Sequence, residues 1–235
     1  EEGTTRAIID TRIGPVPVEY RFERSRSGDD PAGLDESIAV SGVNNGILRS
    51  IMMQQTVTDY RPADIDTRAL AKTLGIEPGV IMQTGLPMEV ITNGLIQLIV
   101  PVDSRSVLSA MNPDLIKLQL MTSKYGVQTV DVFTLDSFDD GSVTYSRHFS
   151  PGEGLWEDPG SGTGAVSIAT YLARHGVIRP GSHIMRQGKE TDSLCNVQVK
   201  LPGEENGFDT AWVGGLAVTS IKRKMSMSSD AIMIR

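Results

Sequence analysis

An α+β fold is what the sequence predicts, and three observations predict it. Strand-type stretches recur from Thr5 to Ile221, while helix-type stretches are few. No repeat of roughly 20–50 residues appears, which sets aside solenoids and propellers. One run, Gly160-Ser161-Gly162-Thr163-Gly164, is a glycine-spaced turn that opens onto a helical pattern. Ala165, Ile168, Ala169 and Leu172 fall at i, i+3, i+4 and i+7, one face of a helix, and Gly176 stands where a C′ glycine would end it.

The elements follow in chain order. Thr5 to Phe22 reads as two strands joined at Gly14-Pro15, with Val16, Val18 and Tyr20 alternating against Pro17 and Glu19. Arg24 to Ser41 is rich in Ser, Gly and Asp and is expected to be an exposed loop. Ile47 to Val57 returns to strand character, its methionines Met52 and Met53 being expected in the core. Asp66 or Thr67 caps a helix through Leu74 that Gly75 ends. Val90-Ile91 and Leu95 to Val102 form a strand pair around Asn93-Gly94. Asn112-Pro113-Asp114 reads as a cap followed by proline at the first helical position, starting a helix that stops near Gly126. Val127 to Phe133 and Ser142 to Phe149 pair around Asp139-Asp140-Gly141. Beyond the long helix, Ser182 to Arg186, Cys195 to Leu201 and Ala211 to Ile221 are strands, and Lys222 to Lys224 is a solvated basic turn.

Composition narrows the function classes. With 39% hydrophobic and 22% charged residues over 235 positions, the chain is an ordinary globular protein with length enough for a core. A net charge of −7 and a pI near 5.0 argue against nucleic acid or an anionic membrane as partner. No apolar run approaches the roughly 20 residues of a membrane span, and Glu1-Glu2-Gly3 does not open a signal peptide, so the expected location is cytoplasmic. Cys195 stands alone, which rules out an internal disulfide; it reads as a small apolar residue in a strand. His148, His175 and His183 lack metal-ligand spacing, and neither metal nor cofactor is expected.

The glycine turn carries the chemistry. Glycines let backbone approach a ligand, and the unpaired N–H groups of a first helical turn face whatever lies before them. Such a turn is either a plain entry into a helix or a small anion site suited to a carboxylate. It is not a P-loop, since no Lys-Ser or Lys-Thr follows, and a dinucleotide fingerprint would need a strand where a Pro/Gly/acid loop stands.

Glu157-Asp158-Pro159-Gly160-Ser161-Gly162-Thr163-Gly164 resembles the Glu-Asp-Pro-Ala-Thr-Gly-Ser-Ala signature of the phenazine-biosynthesis isomerase (PhzF-like) family. Arg147-His148-Phe149-Ser150-Pro151 is similar to that family's Arg-x-Phe-x-Pro lead-in, and Met52-Met53-Gln54-Gln55 to its Val-x-Met-x-Gln strand. Thr84-Gly85-Leu86-Pro87, Val100-Pro101-Val102, Gln187-Gly188 and Val213-Gly214-Gly215 agree in order and spacing. The resemblance implies a diaminopimelate epimerase-like fold: two similar halves, each a curled, mainly antiparallel sheet around a central helix, with the active site in the cleft between them. It divides the chain into residues 1–60, the remainder of a first domain, residues 61–215, a second domain, and residues 216–235, a return to the first. It also implies a homodimer.

The family's first half normally carries a catalytic glutamate and a Gly-His-Pro turn, and neither has a counterpart here. The expectation is that half of a site is present. In that half, the resemblance makes Asp158 catalytic and gives Gly160, Ser161, Gly162, Thr163, Gly85 and Pro87 to substrate binding. The other reading of Asp158 is an N-cap or Asx-turn acid, and Glu157 is expected to be structural. In the wider superfamily a catalytic cysteine stands where Ser161 stands; an unactivated serine ionises too weakly to be that base, which favours a one-base proton shift over inversion by two thiols. The expected function is a cofactor-independent isomerase that moves a proton, and with it a double bond, in a small carboxylate-bearing metabolite. A non-catalytic binding or scaffold protein of the same fold, and an epimerase of a specialised metabolite, are the alternatives.

Overall fold

The computed structural model describes residues 2–11, 14–24, 46–136, 141–203 and 207–217. The first half supplies β1 (Glu2–Thr11), β2 (Gly14–Arg24), β3 (Gly46–Thr56), β4 (Asp59–Pro62), α1 (Thr67–Leu74), α2 (Gly79–Met82), β5 (Glu89–Thr92) and β6 (Ile96–Pro101). Then come α3 (Arg105–Ala110), α4 (Leu115–Ser123), β7 (Thr129–Thr134), β8 (Ser142–Ser150) and β9 (Leu155–Asp158). The chain continues through α5 (Gly162–Arg174), β10 (Gly181–Gln187), β11 (Cys195–Leu201) and β12 (Thr210–Leu216). The α+β class holds.

The strands form one 12-stranded sheet in the order β1-β2-β3-β12-β11-β10-β8-β7-β6-β5-β4, with β9 added beside β8. Pairing is antiparallel except at β6–β7 and β8–β10, which are parallel. Those two junctions are where helices must cross a face of the sheet, since a parallel neighbour needs a long return connection. Alternation along the strands then sorts side chains onto two faces. Leu98, Val100, Val130, Val132, Tyr145 and Phe149 pack with Leu70 and Leu74 of α1, Leu108 of α3 and Leu118 of α4. Ile91, Ile99, Phe133, Met185, Val199 and Val213 pack on the other face with Ile168, Ala169, Tyr171 and Leu172 of α5. Each fully buried aliphatic or aromatic side chain of α5 contributes roughly 1.5–3 kcal/mol to that layer.

Local signals position several elements as the sequence predicts. Asp66 caps α1 by accepting from the Arg68 amide at 2.9 Å, and Gly75 closes it in the left-handed region at φ 74°. Ser161 caps α5 through a bond from the Gly164 amide, and Gly176 follows it at φ 69°.

Other details differ. The cap of α4 is Asp114, not Asn112, so Pro113 precedes the cap instead of occupying the first helical position. Asp114 wins because its carboxylate accepts from the Lys117 amide and pairs with the Lys117 ammonium at 2.6 Å. Gly14 and Pro15 are not the hairpin turn; they already face Thr11 and Asp10 in the β1–β2 ladder. Met53 is 39% exposed and not in the core, because it lies on a phase of β3 that no helix of the described residues covers. Strand β4 and helices α2 and α3 went unforeseen, all being short. Residues 25–41, Asp139-Asp140 and Lys222 to Lys224 lie outside the described residues. Among those described, no helix is long and apolar enough to cross a membrane.

Candidate active site

Helix α5 lies on the sheet so that its two ends meet different surfaces. Its C-terminal half covers the apolar core, whereas its first turn sits over a polar patch. Gln97 of β6, Asp131 of β7 and His148 of β8 reach that patch, joined by Asn93 and Gln187. Asn93 donates to the Thr163 carbonyl at 2.9 Å, and Gln97 donates to Ser167 Oγ at 2.8 Å and to Asn93 Oδ1 at 2.5 Å. Gln187 clamps the Ser161 peptide from both sides, accepting from its N–H at 2.9 Å and donating to its carbonyl at 3.1 Å. The helix start is therefore held in place by buried side-chain amides, each bonded to backbone or to a neighbour.

Within the turn, most amides are spent internally. Gly160 N–H donates to Asp158 Oδ1 at 2.9 Å, Ser161 N–H to Gln187, and Gly164 N–H to Ser161 Oγ at 3.1 Å. Gly162 and Thr163, the first two helical residues, have amides with no hydrogen-bond partner among the described residues, and both residues are half-buried. Anion affinity resides in these two donors and in the partial positive charge of the helix start. Ser161 is 6% exposed and its hydroxyl serves as the cap, with Thr163 Oγ1 3.1 Å away.

Asp158 ends β9, immediately before this turn. Its Oδ1 closes an Asx-type bond onto Gly160 N–H, and it makes no other hydrogen bond among the described residues. The capping-loop geometry and an unengaged second oxygen thus coexist in one side chain. Glu157, its neighbour, points to the opposite face and forms a two-pronged pair with Arg147, both N···O distances being 2.8 Å. The same guanidinium donates to the Leu108 and Met111 carbonyls at the end of α3. Burial opposes the Arg147 charge, but Glu157 more than compensates and raises it above the usual arginine range. Glu157 is a structural anchor of the loop.

Gly85 and Pro87 stand apart from the turn. The Pro87 carbonyl accepts from the Tyr171 hydroxyl at 2.6 Å, near the far end of α5. Along that helix Tyr171 lies about 13 Å from Gly162, at the usual rise of about 1.5 Å per residue. Gly85 takes a left-handed conformation at φ 71° within a turn that Thr84 Oγ1 closes. These two residues serve the core end of α5, and the structure does not bring them to Asp158. Cys195 is half-buried at the start of β11, its sulfur against Gly160, where an added Cβ would come within 2.9 Å of it.

The sequence reading missed one pair. Asp131 and His148 are 1% and 2% exposed, and His148 Nδ1 lies 2.7 Å from Asp131 Oδ1. They pack directly beneath Gly164, where a Cβ would overlap Asp131 Oδ1 and fall 2.9 Å from His148 Nδ1. Burial is the largest influence on His148 and pulls its imidazolium down. The Asp131 charge and hydrogen bond, with Asp158 assisting, outweigh it and raise the group above the ordinary histidine value. The available signal was the lone acid in Thr129-Val130-Asp131-Val132-Phe133, a strand otherwise free of charge. Among the described residues, no group of three His, Cys, Asp or Glu is arranged to hold a metal ion.

With this geometry in place, similarity to known proteins becomes informative. Trans-2,3-dihydro-3-hydroxyanthranilate isomerase of Pseudomonas chlororaphis is 30% identical over 176 residues, covering 74% of this chain and 58% of that enzyme. An uncharacterized isomerase of Bacillus subtilis is 28% identical over 174 residues, covering 74% of this chain and 59% of its own length. The chain thus spans somewhat less than three fifths of these curated relatives. The crystal structure of the Bacillus anthracis phenazine biosynthesis protein of the PhzF family superposes with a TM-score of 0.70 at 22% identity, over 91% of this chain and 67% of that one. That likeness establishes the fold: a mixed sheet with α5 laid across one face. A family model described as phenazine biosynthesis-like protein (PhzC-PhzF) matches residues 2–223, and the chain belongs to that family.

Proposed function

We propose that the chain forms one half of the active site of a proton-shift isomerase. Its substrate would be a small metabolite bearing a carboxylate next to the carbon that gains or loses the proton. The observation that carries this reading is the placement of Asp158 one turn ahead of two unpartnered amides, those of Gly162 and Thr163. A carboxylate seated on these amides would be neutralised in part by the helix start. As charge develops on it during proton removal, the same donors would stabilise that charge. Asp158 has the chemistry of a general acid/base, with one oxygen fixed by Gly160 and the other unengaged. The name of the Pseudomonas chlororaphis relative supplies a first candidate substrate, trans-2,3-dihydro-3-hydroxyanthranilate. Turnover draws on groups beyond the residues described, and no cofactor is assigned a step.

The test uses the complete gene product carrying this sequence. Incubated in D2O with that dihydro-hydroxy acid, the enzyme is expected to deliver one solvent deuteron to carbon in the product, and Asp158→Asn is expected to slow incorporation by about 10²-fold or more. Incorporation at an equal rate in Asp158→Asn refutes the role of Asp158. Failure to convert this acid or any related small carboxylate refutes the isomerase reading.

A further inference from the structure

The ladder registers place three titratable side chains in a row. Asp131 of β7 is directly opposite His148 of β8, and His148 is directly opposite Asp158 of β9. Residues facing each other across antiparallel strands project from the same face with Cβ atoms roughly 4.5–5.5 Å apart. The three therefore form one rung, carboxylate–imidazole–carboxylate, under the first turn of α5. The neighbouring rung, Arg147 with Glu157, faces the other side of the sheet.

We propose that His148, clamped by Asp131, is a positioning residue for Asp158: its imidazolium is the counter-charge that keeps Asp158 in the ionised, proton-accepting form. As a catalytic statement this rests on Asp158 being the proton-transfer group. As an electrostatic one it stands on the rung alone.

The physical case is one of surroundings. Asp131 fixes the ring by a 2.7 Å bond to Nδ1, and the pair is almost wholly removed from water. Asp131 Oδ2 is buried with no hydrogen-bond partner in the structure, so the imidazolium is the principal compensation for that carboxylate. Charges facing His148 are few. The first turn of α5 above it carries no acidic residue, and its positive end opposes an imidazolium while favouring both carboxylates. On β10, Gln187 is neutral and Arg186 is held by Asn196 at 2.9 Å. Arg147 turns to the other face. The two aspartates are thus the groups that set the charge of His148, and His148 in turn is the cation nearest to Asp158 in the rung. Gly164 permits the arrangement, because any larger residue there would displace the Asp131 carboxylate and the ring.

The experiment follows carboxyl carbons of 13C-aspartate and ring protons of His148 by NMR from pH 3 to 9 in this chain. In the wild type, Asp158 is expected to show, besides its own titration, a second, smaller inflection at the midpoint of His148. His148→Gln should remove the second inflection and raise the proton affinity of Asp158 about tenfold, the effect of losing a unit charge one strand away at an effective dielectric constant between protein and water. Asp131→Asn, which keeps shape, should lower the His148 midpoint, and it carries the test if His148→Gln does not fold. Asp158→Asn should lower the His148 midpoint as well, by reciprocity. In the complete enzyme, His148→Gln should move the acid limb of the kcat/KM profile upward by the same amount as the carboxyl titration. An Asp158 titration unchanged in both His148→Gln and Asp131→Asn overturns the proposal. The isomerase reading fails separately, through the deuterium experiment, because the titration reads the rung whether or not substrate turns over.

Discussion

Removing the Arg147 guanidinium should unlock the loop that carries Asp158. Arg147 makes two bonds of 2.8 Å to Glu157 and two, of 2.9 and 2.8 Å, to the Leu108 and Met111 carbonyls. The side chains of Arg147 and Glu157 are 8% and 17% exposed. Breaking a buried pair from one side costs about 3–5 kcal/mol, because the remaining charge is left in a poor solvent. The partial exposure of Glu157 lets water reach it, which puts Arg147→Met at the lower end, about 3 kcal/mol. Arg147→Met/Glu157→Leu removes both charges and leaves only two carbonyls short of a donor, a cost of about 1–2 kcal/mol. The double variant should therefore be more stable than the single one. Urea unfolding of wild type, both single variants and the double variant measures this. An Arg147→Met loss below about 1 kcal/mol, or a double variant less stable than Arg147→Met, would refute the view that Glu157 is an anchor.

Three further expectations concern the rung and the helix start. Gly164→Ala should cost about 1–3 kcal/mol by forcing a methyl group into Asp131 and His148, whereas Gly162→Ala, whose Cβ would meet Val213 at 3.5 Å, should stay within about 0.5 kcal/mol; thermal melts compare them. Ser161→Ala should lose about 1 kcal/mol as a helix cap while Ser161→Asp retains most of it, read from the same melts. The folded-state value of His148 lies above its unfolded one, so its contribution to stability is complete below about pH 6.5 and is lost as pH rises through the folded value. Urea midpoints from about pH 5.5 to 9 should show that decline in the wild type and lose most of it in His148→Gln.

Features set by neighbouring residues were legible in the sequence. Asp66 and Gly75 bound α1 as expected, because a cap and a left-handed glycine act within one turn of chain. The same holds for Ser161 and Gly176 around α5. Where two local solutions compete, legibility falls. Asn112 and Asp114 both suit a cap, and the choice rests on Lys117, whose amide and ammonium Asp114 engages together. Register is a long-range property and was not legible. Asp131, His148 and Asp158 lie 17 and 10 residues apart, and only strand pairing reveals that they share a rung. The two parallel junctions, β6–β7 and β8–β10, were equally hidden, since nothing near Gln97 or Ile184 names its partner. Gly85 and Pro87 carried a motif without a position; the Tyr171 hydroxyl settles where they belong.

The central claim is that the unpartnered amides of Gly162 and Thr163 and the carboxyl of Asp158 face one bound carboxylate. Amide and carboxyl NMR shifts of the chain, followed while anthranilate is added as a carboxylate probe, test it most directly. The expected result is that Gly162, Thr163 and Asp158 shift together along one saturation curve, with Gly85 and Val90 unmoved. Saturation at other residues while Gly162 and Thr163 stay fixed would contradict it.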